Sequence, residues 1–413
     1  MTVQREGNWV VVEDALKDAA IDTLLAAIHQ AIVDKGYSEI ILDFSQCTEA
    51  YPPAMVGVCV QVRRWRQEGI SFQLVEPADQ KLARHFVNTN WAHLLDPERY
   101  AATRFQDHRQ IPATPFATLT EQPELTYRVV KLVIGALQGV HRGDVAALEW
   151  AVNEIIDNVI THSESVVGGI LQVSTFTKGK KIQFVVADAG IGIPKSLRVV
   201  TGETPDEQAL ARAIEEGVTR GTGQGNGLFG SYEICRRSKG FFSIESGHGR
   251  LRFSPESGLQ LRHNARVPYH GTLVTGVLDL SVPKLLEEAL RIKGRVYRPT
   301  DYLETHYEDP HQDRVLFRLH SEAAAFGSRL AGTPVRNKLL NLIQMIERQV
   351  IVVDFIDVPL LSSSFADEVF GKLFAEVGPL VFTNRLQLVN VPPLTASLMD
   401  KAIMQRVAGG SGR

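Results

Sequence analysis

Asn153-Glu-Ile-Ile-Asp-Asn158, Asp188-Ala-Gly-Ile-Gly192 and Gly221-Thr-Gly-Gln-Gly-Asn-Gly-Leu228 stand in that order in the middle of this chain. Around the first stretch, Val145, Leu148, Val152, Ile155, Ile156 and Val159 recur at the spacing of one apolar helix stripe, with Asp144 placed to cap the start. Glu154, Asn158 and His162 share a second stripe, so a carboxylate and a carboxamide lie one turn apart. The second stretch ends the strand pattern Ile182-Gln-Phe-Val-Val-Ala187, so Asp188 closes a strand ahead of a glycine turn. Gly190 and Gly192 there let backbone approach a flat ligand closely. The third stretch is too rich in glycine to hold one conformation and runs straight into a helical pattern. Its amides and the helix start can point at one anion.

Taken singly, each stretch has a plain reading: a solvated helix face, a strand-ending turn, a flexible linker. Taken in order, they supply a metal and water handle, a purine reader and a phosphate cradle. The Asn158 amide oxygen is a neutral hard ligand suited to Mg²⁺, which leans on substrate phosphates. The Glu154 carboxylate can orient or deprotonate an attacking water or hydroxyl. Asp188 can accept the exocyclic amine of adenine. Gly271-Thr272, ahead of a further strand, puts a hydroxyl within plausible reach of the nucleotide. No Lys-Ser/Thr follows the glycine loop, so it is not a Walker A motif. In Glu203-Thr-Pro-Asp-Glu207, Thr204 reads as an N-cap, Pro205 as the first helical residue and Glu207 as the close of a capping box.

A chain of 413 residues should form about two to four domains, because single cores rarely grow past roughly 250 residues. Its formal net charge of -3 removes any global argument for nucleic-acid or membrane binding. Cys47, Cys59 and Cys235 are odd in number and widely spaced, which points away from disulfides and structural zinc. With no secretion pattern at the start and no long apolar run, a cytoplasmic location is expected.

The expected domains are 1–105, a linker over 106–125, a central domain over 126–280, a connecting segment over 281–312, a last domain over 313–408 and a disordered tail over 409–413. In the first domain a helix from about Glu13 to Asp34, stopped by Gly36, precedes the strand Glu39–Phe44. A helix after Pro52-Pro53 and the strand Ser71–Val75 follow. The last domain repeats this rhythm: Val350–Phe355 as strand, Ser362-Ser-Ser-Phe-Ala-Asp-Glu leading into a helix, and Arg385–Val389 as strand. Leu42-Asp-Phe-Ser aligns with Val353-Asp-Phe-Ile as a short internal repeat. The whole reads as α/β.

With those residues in view, the central segment resembles the GHKL ATPases: gyrase, the heat-shock chaperone of that group, histidine kinases and mismatch-repair ATPases. The N box is Asn153–Asn158, the G1 box Asp188–Gly192 and the G2 box Gly223-Gln-Gly-Asn-Gly-Leu228. The resemblance implies a Bergerat α/β sandwich with helices on one face of a mixed sheet, and ATP and Mg²⁺ as cofactors. It implies Glu154 as catalytic base, Asn158 on the metal, and Asp188, Gly190 and Gly192 around adenine. Gly223, Gly225, Asn226, Gly227 and Leu228 would close over phosphates, and Thr272 would support the adenine side.

Both ends resemble STAS domains, on Ile41-Leu-Asp-Phe-Ser-Gln-Cys in front and Val352-Val-Asp-Phe-Ile-Asp-Val behind. The rear copy resembles the STAS-like domain of unknown function often found beside ATP-binding modules. Histidine kinases commonly carry Asn where this chain has Glu154, and no histidine-bearing dimerisation helix pair precedes the central segment. Anti-sigma serine kinases share the carboxylate and phosphorylate a serine on a STAS partner. Carried onto this chain, that position is Pro52 in front, which cannot accept phosphate, and Ser363 behind. The resemblance thus implies an ATPase or serine kinase acting on a regulatory protein partner. A nucleotide switch that phosphorylates nothing but acts on a protein partner, or a histidine-kinase-like protein, is the alternative. Both module types often pair, so a homodimer is compatible; nucleic acid and membrane are not expected partners.

Overall fold

The computed structural model describes residues 2–103, 109–218, 226–264, 266–282, 285, 289–292, 295–296, 301–308, 314–346 and 348–410. They form two compact units, Met1–Thr126 with Ala147–Tyr297 and Tyr127–Ala146 with Arg298–Arg413.

The first unit opens with β1 (Thr2–Glu6) antiparallel to β2 (Trp9–Leu16), followed by β3 (Glu39–Asp43) and β5 (Ser71–Val75) in parallel register, while β4 (Cys47–Ala50) pairs with β2. A helix was expected from Glu13, but the strand persists to Leu16 because Val10, Val12 and Leu16 alternate into the core. Helix α1 begins at Ile21, runs to His29 and continues through a wider turn at Gln30–Asp34. Gly36 then takes φ 71, a left-handed conformation that glycine adopts at no steric cost.

Helix α2 (Pro52–Gln67) starts on proline, as the sequence implies. Eleven of its 16 residues are buried, so the helix is covered on more than one side. One side packs on β5; the other packs on β7 (Gly169–Phe176), β8 (Lys181–Asp188) and β12 (Tyr269–Asp279). Val10, Leu42, Phe44 and Trp91 therefore share one core cluster with Ile170, Val185, Ala187 and Leu273.

That second sheet has seven strands in the order β11-β10-β9-β12-β8-β7-β6, where β6 is Gln110–Phe116, β9 Phe241–Gly247, β10 Gly249–Ser254 and β11 Gly258–His263. All of its neighbours are antiparallel, so the sheet is not the mixed one expected. Helix α9 (Gly227–Arg237) packs on β9 and β12, and α8 (Asp206–Ala213) on β9, β10 and β11. With α2 on β7, β8 and β12 as well, the cover is not limited to helices of the central segment. Strands covered on both faces read as continuous apolar runs, which is how Phe-Val-Val-Ala reads in β8.

Three further expectations change. The linker over 106–125 contains β6 and the start of helix α5 (Glu121–Ala136). Pro112 and Pro115 concealed the strand, yet β6 is the sheet's edge and its register shifts between Ile111 and Thr114, where prolines are tolerated. Helix α6 (Arg142–His162) begins before Asp144, which lies buried in its first turn and is not its cap. Helix α8 begins at Asp206 with no side-chain cap, so neither Thr204 nor Glu207 caps it. Glu207 instead meets His263 at 3.2 Å, and Asp206 accepts the His248 backbone N–H at 2.7 Å.

The second unit is built on three parallel strands in the order β15 (Arg314–Arg318), β16 (Val350–Asp354) and β17 (Leu386–Val389). Residues 127–146, placed by the sequence with the central domain, belong to this unit. Asn337 donates to the Gly135 carbonyl at 3.0 Å, and Asn341 to those of Ile134 and Leu137 at 2.8 and 2.7 Å. Lys338 meets Glu322 at 2.8 Å in the same buried layer. Of the expected connecting segment, β13 (Arg291–Ile292) pairs with β14 (Arg295–Val296), and Tyr302–Tyr307 is helical. The last helix, Pro393–Gly410, runs two residues into the expected tail, and 411–413 lie outside the described residues. No helix among the described residues is long and apolar enough to cross a membrane. The three cysteines are free and buried.

Candidate functional site

Helix α6 is the spine of the site. Glu154 and Asn158 are half-buried on it, and the backbone of Gly227 is pressed against both. A Cβ at Gly227 would lie 2.7 Å from Glu154 Oε2 and 3.4 Å from Asn158 Nδ2. A side chain at Gly227 would therefore displace the Glu154 carboxylate. Among the described residues, neither the Glu154 carboxylate nor the Asn158 carboxamide makes a hydrogen bond or ion pair. Burial, with the Asp157 carboxylate nearby, pushes Glu154 up to about 7. A carboxyl group poised there can take a proton near neutrality.

The Asp188 turn meets the end of the same helix. Ile191 N donates to the Ser163 carbonyl at 2.8 Å, and a Cβ at Gly190 would lie 1.9 Å from that oxygen. Asp188 itself is 2% exposed. It accepts the Gly190 N–H at 2.8 Å and the Thr272 backbone N–H. Burial outweighs these donors and pushes Asp188 up to about 7. Gly271, at φ 85, lies so close that a Cβ would come 2.5 Å from Asp188 Oδ1.

Ser246, at the end of β9, ties the turn together. Its hydroxyl donates to the Gly271 carbonyl at 2.6 Å and accepts from Ile193 N at 2.9 Å, with the Thr272 hydroxyl 3.4 Å away. Nothing in the sequence marked Ser246 or Ser163, because each acts through pairings visible only after folding. Gly192 takes φ 76 and faces Ser246 and the Gly271 carbonyl.

The structure thus brings Glu154, Asn158 and Gly227 together, and separately Asp188, Gly190, Gly192 and Thr272, with α6 joining the two groups. Asn226 is buried and accepts the Gly217 N–H at 3.1 Å, clipping together the two ends of the glycine-rich stretch. Leu228 follows, half-buried, in the first turn of α9. Gly223 and Gly225 lie outside the described residues. Packing fixes α9: a Cβ at Gly230 would lie 2.3 Å from the Trp150 ring of α6. His162 is exposed.

In the second unit, the three serines of Ser362-Ser-Ser364 differ. Ser362 caps the following helix, accepting Phe365 N at 3.1 Å, and its hydroxyl meets that of Ser364 at 3.0 Å. Ser363 is exposed.

Residues 143–279 match the family of histidine kinase-, DNA gyrase B-, and HSP90-like ATPases. The central segment is therefore an ATP-binding domain of the GHKL class, the class its sequence resembles. Residues 331–393 match a STAS-like domain of unknown function (DUF4325), so the chain joins these two kinds of domain. Both matches lie outside the N-terminal module. No curated protein matches the chain.

Proposed function

We propose that this chain is a Mg²⁺-dependent, ATP-binding regulatory protein that moves the γ-phosphate to water or to a serine of a STAS-like domain, with Ser363 as the acceptor. The observation that carries the reading is Gly227 lying against Glu154 and Asn158 on a helix whose far end holds the Asp188 turn. On this reading the metal, base, purine and phosphate functions would be gathered along α6.

Asp188 would accept the adenine amine, with Gly190, Gly192 and Gly271 admitting the ring edge. Thr272 would hold the carboxylate through its N–H. Asn158, whose carboxamide has no protein partner among the described residues, fits a hard cation that takes its other ligands from phosphates and water. Bound Mg²⁺ would supply charge neutralisation at the phosphates. Glu154 would hold and accept the proton of the attacking oxygen, its raised pKa matching that task. Gly223, Gly225, Asn226, Gly227 and Leu228 would close over the phosphates, and the glycine-rich stretch is a lid on this reading.

Ser363 is favoured because its neighbours are occupied: Ser362 as cap, Ser364 as the partner of Ser362. Phosphate there would bring about two negative charges to a helix start. The alternative is a switch in which ATP opens and closes the lid without labelling protein, and the Asn226 clip to Gly217 is the feature that favours it. Incubation of the purified chain with γ-labelled ATP and Mg²⁺ separates the two. Label on the Ser362–Ser364 peptide supports transfer, free phosphate alone supports the switch, and neither product contradicts both.

A further inference from the structure

Gln61 is an anomaly that the ATP-site reading does not absorb. It is a polar residue on a helix otherwise buried among apolar side chains, and it is 1% exposed. Its amide Nε2 donates to the carbonyl of His270 at 2.6 Å. His270 is the residue immediately before Gly271.

The strand around that carbonyl is irregular. β12 pairs with β9 through Tyr269 and again from Thr272, with a register shift between them, so His270 and Gly271 form a bulge. A bulge frees backbone groups from the ladder, and the His270 carbonyl there takes a donor from outside the strand, in a partly buried hydrogen bond. Gln61 supplies it. The adjacent Tyr269 ring is buried against α2, where a Cβ at Gly57 would lie 3.6 Å from it and 3.2 Å from Leu273. On the other side of the bulge, Gly271 lies against Asp188 and Ser246 holds the Gly271 carbonyl.

We propose that Gln61, contributed by the N-terminal module, is a positioning residue for the purine end of the nucleotide site: by fixing the His270–Gly271 bulge it sets where the Thr272 N–H and Gly271 backbone meet Asp188. The bulge is gripped twice, by Gln61 at His270 and by Ser246 at Gly271, and Asp188 receives the result. The N-terminal module is then more than a wall on the far face of the sheet. A shift of α2 along that face changes the purine pocket directly. The inference rests on Asp188 as the purine reader.

The test uses the full chain and two probes, adenosine for the purine end and inorganic tripolyphosphate for the phosphate end. Gln61→Met keeps the volume and removes the donor, while Gln61→Glu keeps the shape and turns an oxygen toward the carbonyl. The expected result is an adenosine Kd weakened about three- to tenfold by Gln61→Met, the worth of one hydrogen bond, and more by Gln61→Glu. Tripolyphosphate binding is expected to stay at the wild-type value. Equal weakening of both probes, no change in either, or failure of both variants to fold overturns the proposal, because each makes Gln61 a general packing residue or an idle one. Wild-type protein that binds tripolyphosphate but not adenosine overturns the Asp188 reading instead, so the two failures are told apart.

Discussion

The N-terminal and C-terminal modules share a local frame and diverge at the helix that follows it. Asp43 ends β3 and accepts the Ser45 N–H at 2.8 Å; Asp354 ends β16 and accepts the Ile356 N–H at 3.0 Å. The next residue, Phe44 or Phe355, is buried. Its N–H donates to the neighbouring parallel strand, at Val75 (2.9 Å) or Val389 (3.1 Å). Beyond that point the first module places Pro52 at the start of a helix buried on both sides, whereas the second places a serine cap and an exposed hydroxyl. One frame therefore serves two ends. The first module is joined to the seven-stranded sheet through a continuous core, and the second leaves its Ser363 hydroxyl in water.

The largest expected effects separate the two cores. Trp91 is fully buried and donates its indole N–H to Gln172 of β7 at 2.8 Å. Trp91→Ala should cost ~3–5 kcal/mol and weaken nucleotide binding with it, because that core is shared. Phe365→Ala in the other unit should cost a similar ~3–5 kcal/mol yet leave nucleotide affinity at the wild-type value. Melting curves paired with nucleotide titrations decide, and equal loss of affinity in both variants would break the comparison.

Next comes the chemistry. Glu154→Ala should spare binding and lower turnover by ~10²-fold or more, the share of a general base. Turnover assays at saturating ATP read this directly, and a variant as fast as wild type removes Glu154 from the mechanism. Smaller still, Ser362→Ala should cost ~1 kcal/mol as a lost cap while leaving protein labelling intact, whereas Ser363→Ala should abolish labelling at no cost in stability. Labelling that survives in Ser363→Ala would leave the two modules alike in this respect.

The pH dependence is a separate test. Asp188 and Glu154 are both raised to about 7 by burial, so the folded chain retains protons that the unfolded chain has released. Stability of the free protein should therefore fall as pH rises from the ordinary carboxyl range through about 7. Nucleotide affinity and turnover should rise over the same upper limb, since both roles need the ionised form. Asp188→Asn should flatten the affinity profile relative to wild type, and profiles that superimpose would remove Asp188 as the titrating group.

Much of this was legible in the sequence because the signals were local. Strands Gly169–Phe176 and Ser71–Val75 follow from alternation and β-branched content, and α2 from its prolines. The stripe of α6 put Glu154 and Asn158 together before any fold was known. What stayed hidden depends on long-range pairing. β6 carries two prolines and is a strand only because it lies at an edge. The sheet's antiparallel order, the Ser246 clasp and the Gln61 bond each join residues far apart in the chain. Thr204 misled because its proline-acidic context mimics a cap, whereas the helix starts two residues later.

Calorimetric titration of the intact protein with ATP and Mg²⁺, alongside Asp188→Ala, tests the pocket itself. The account predicts one nucleotide bound per chain by the wild type and none by the variant of unchanged fold. An absence of heat with the wild type, or equal affinity in both proteins, would contradict it.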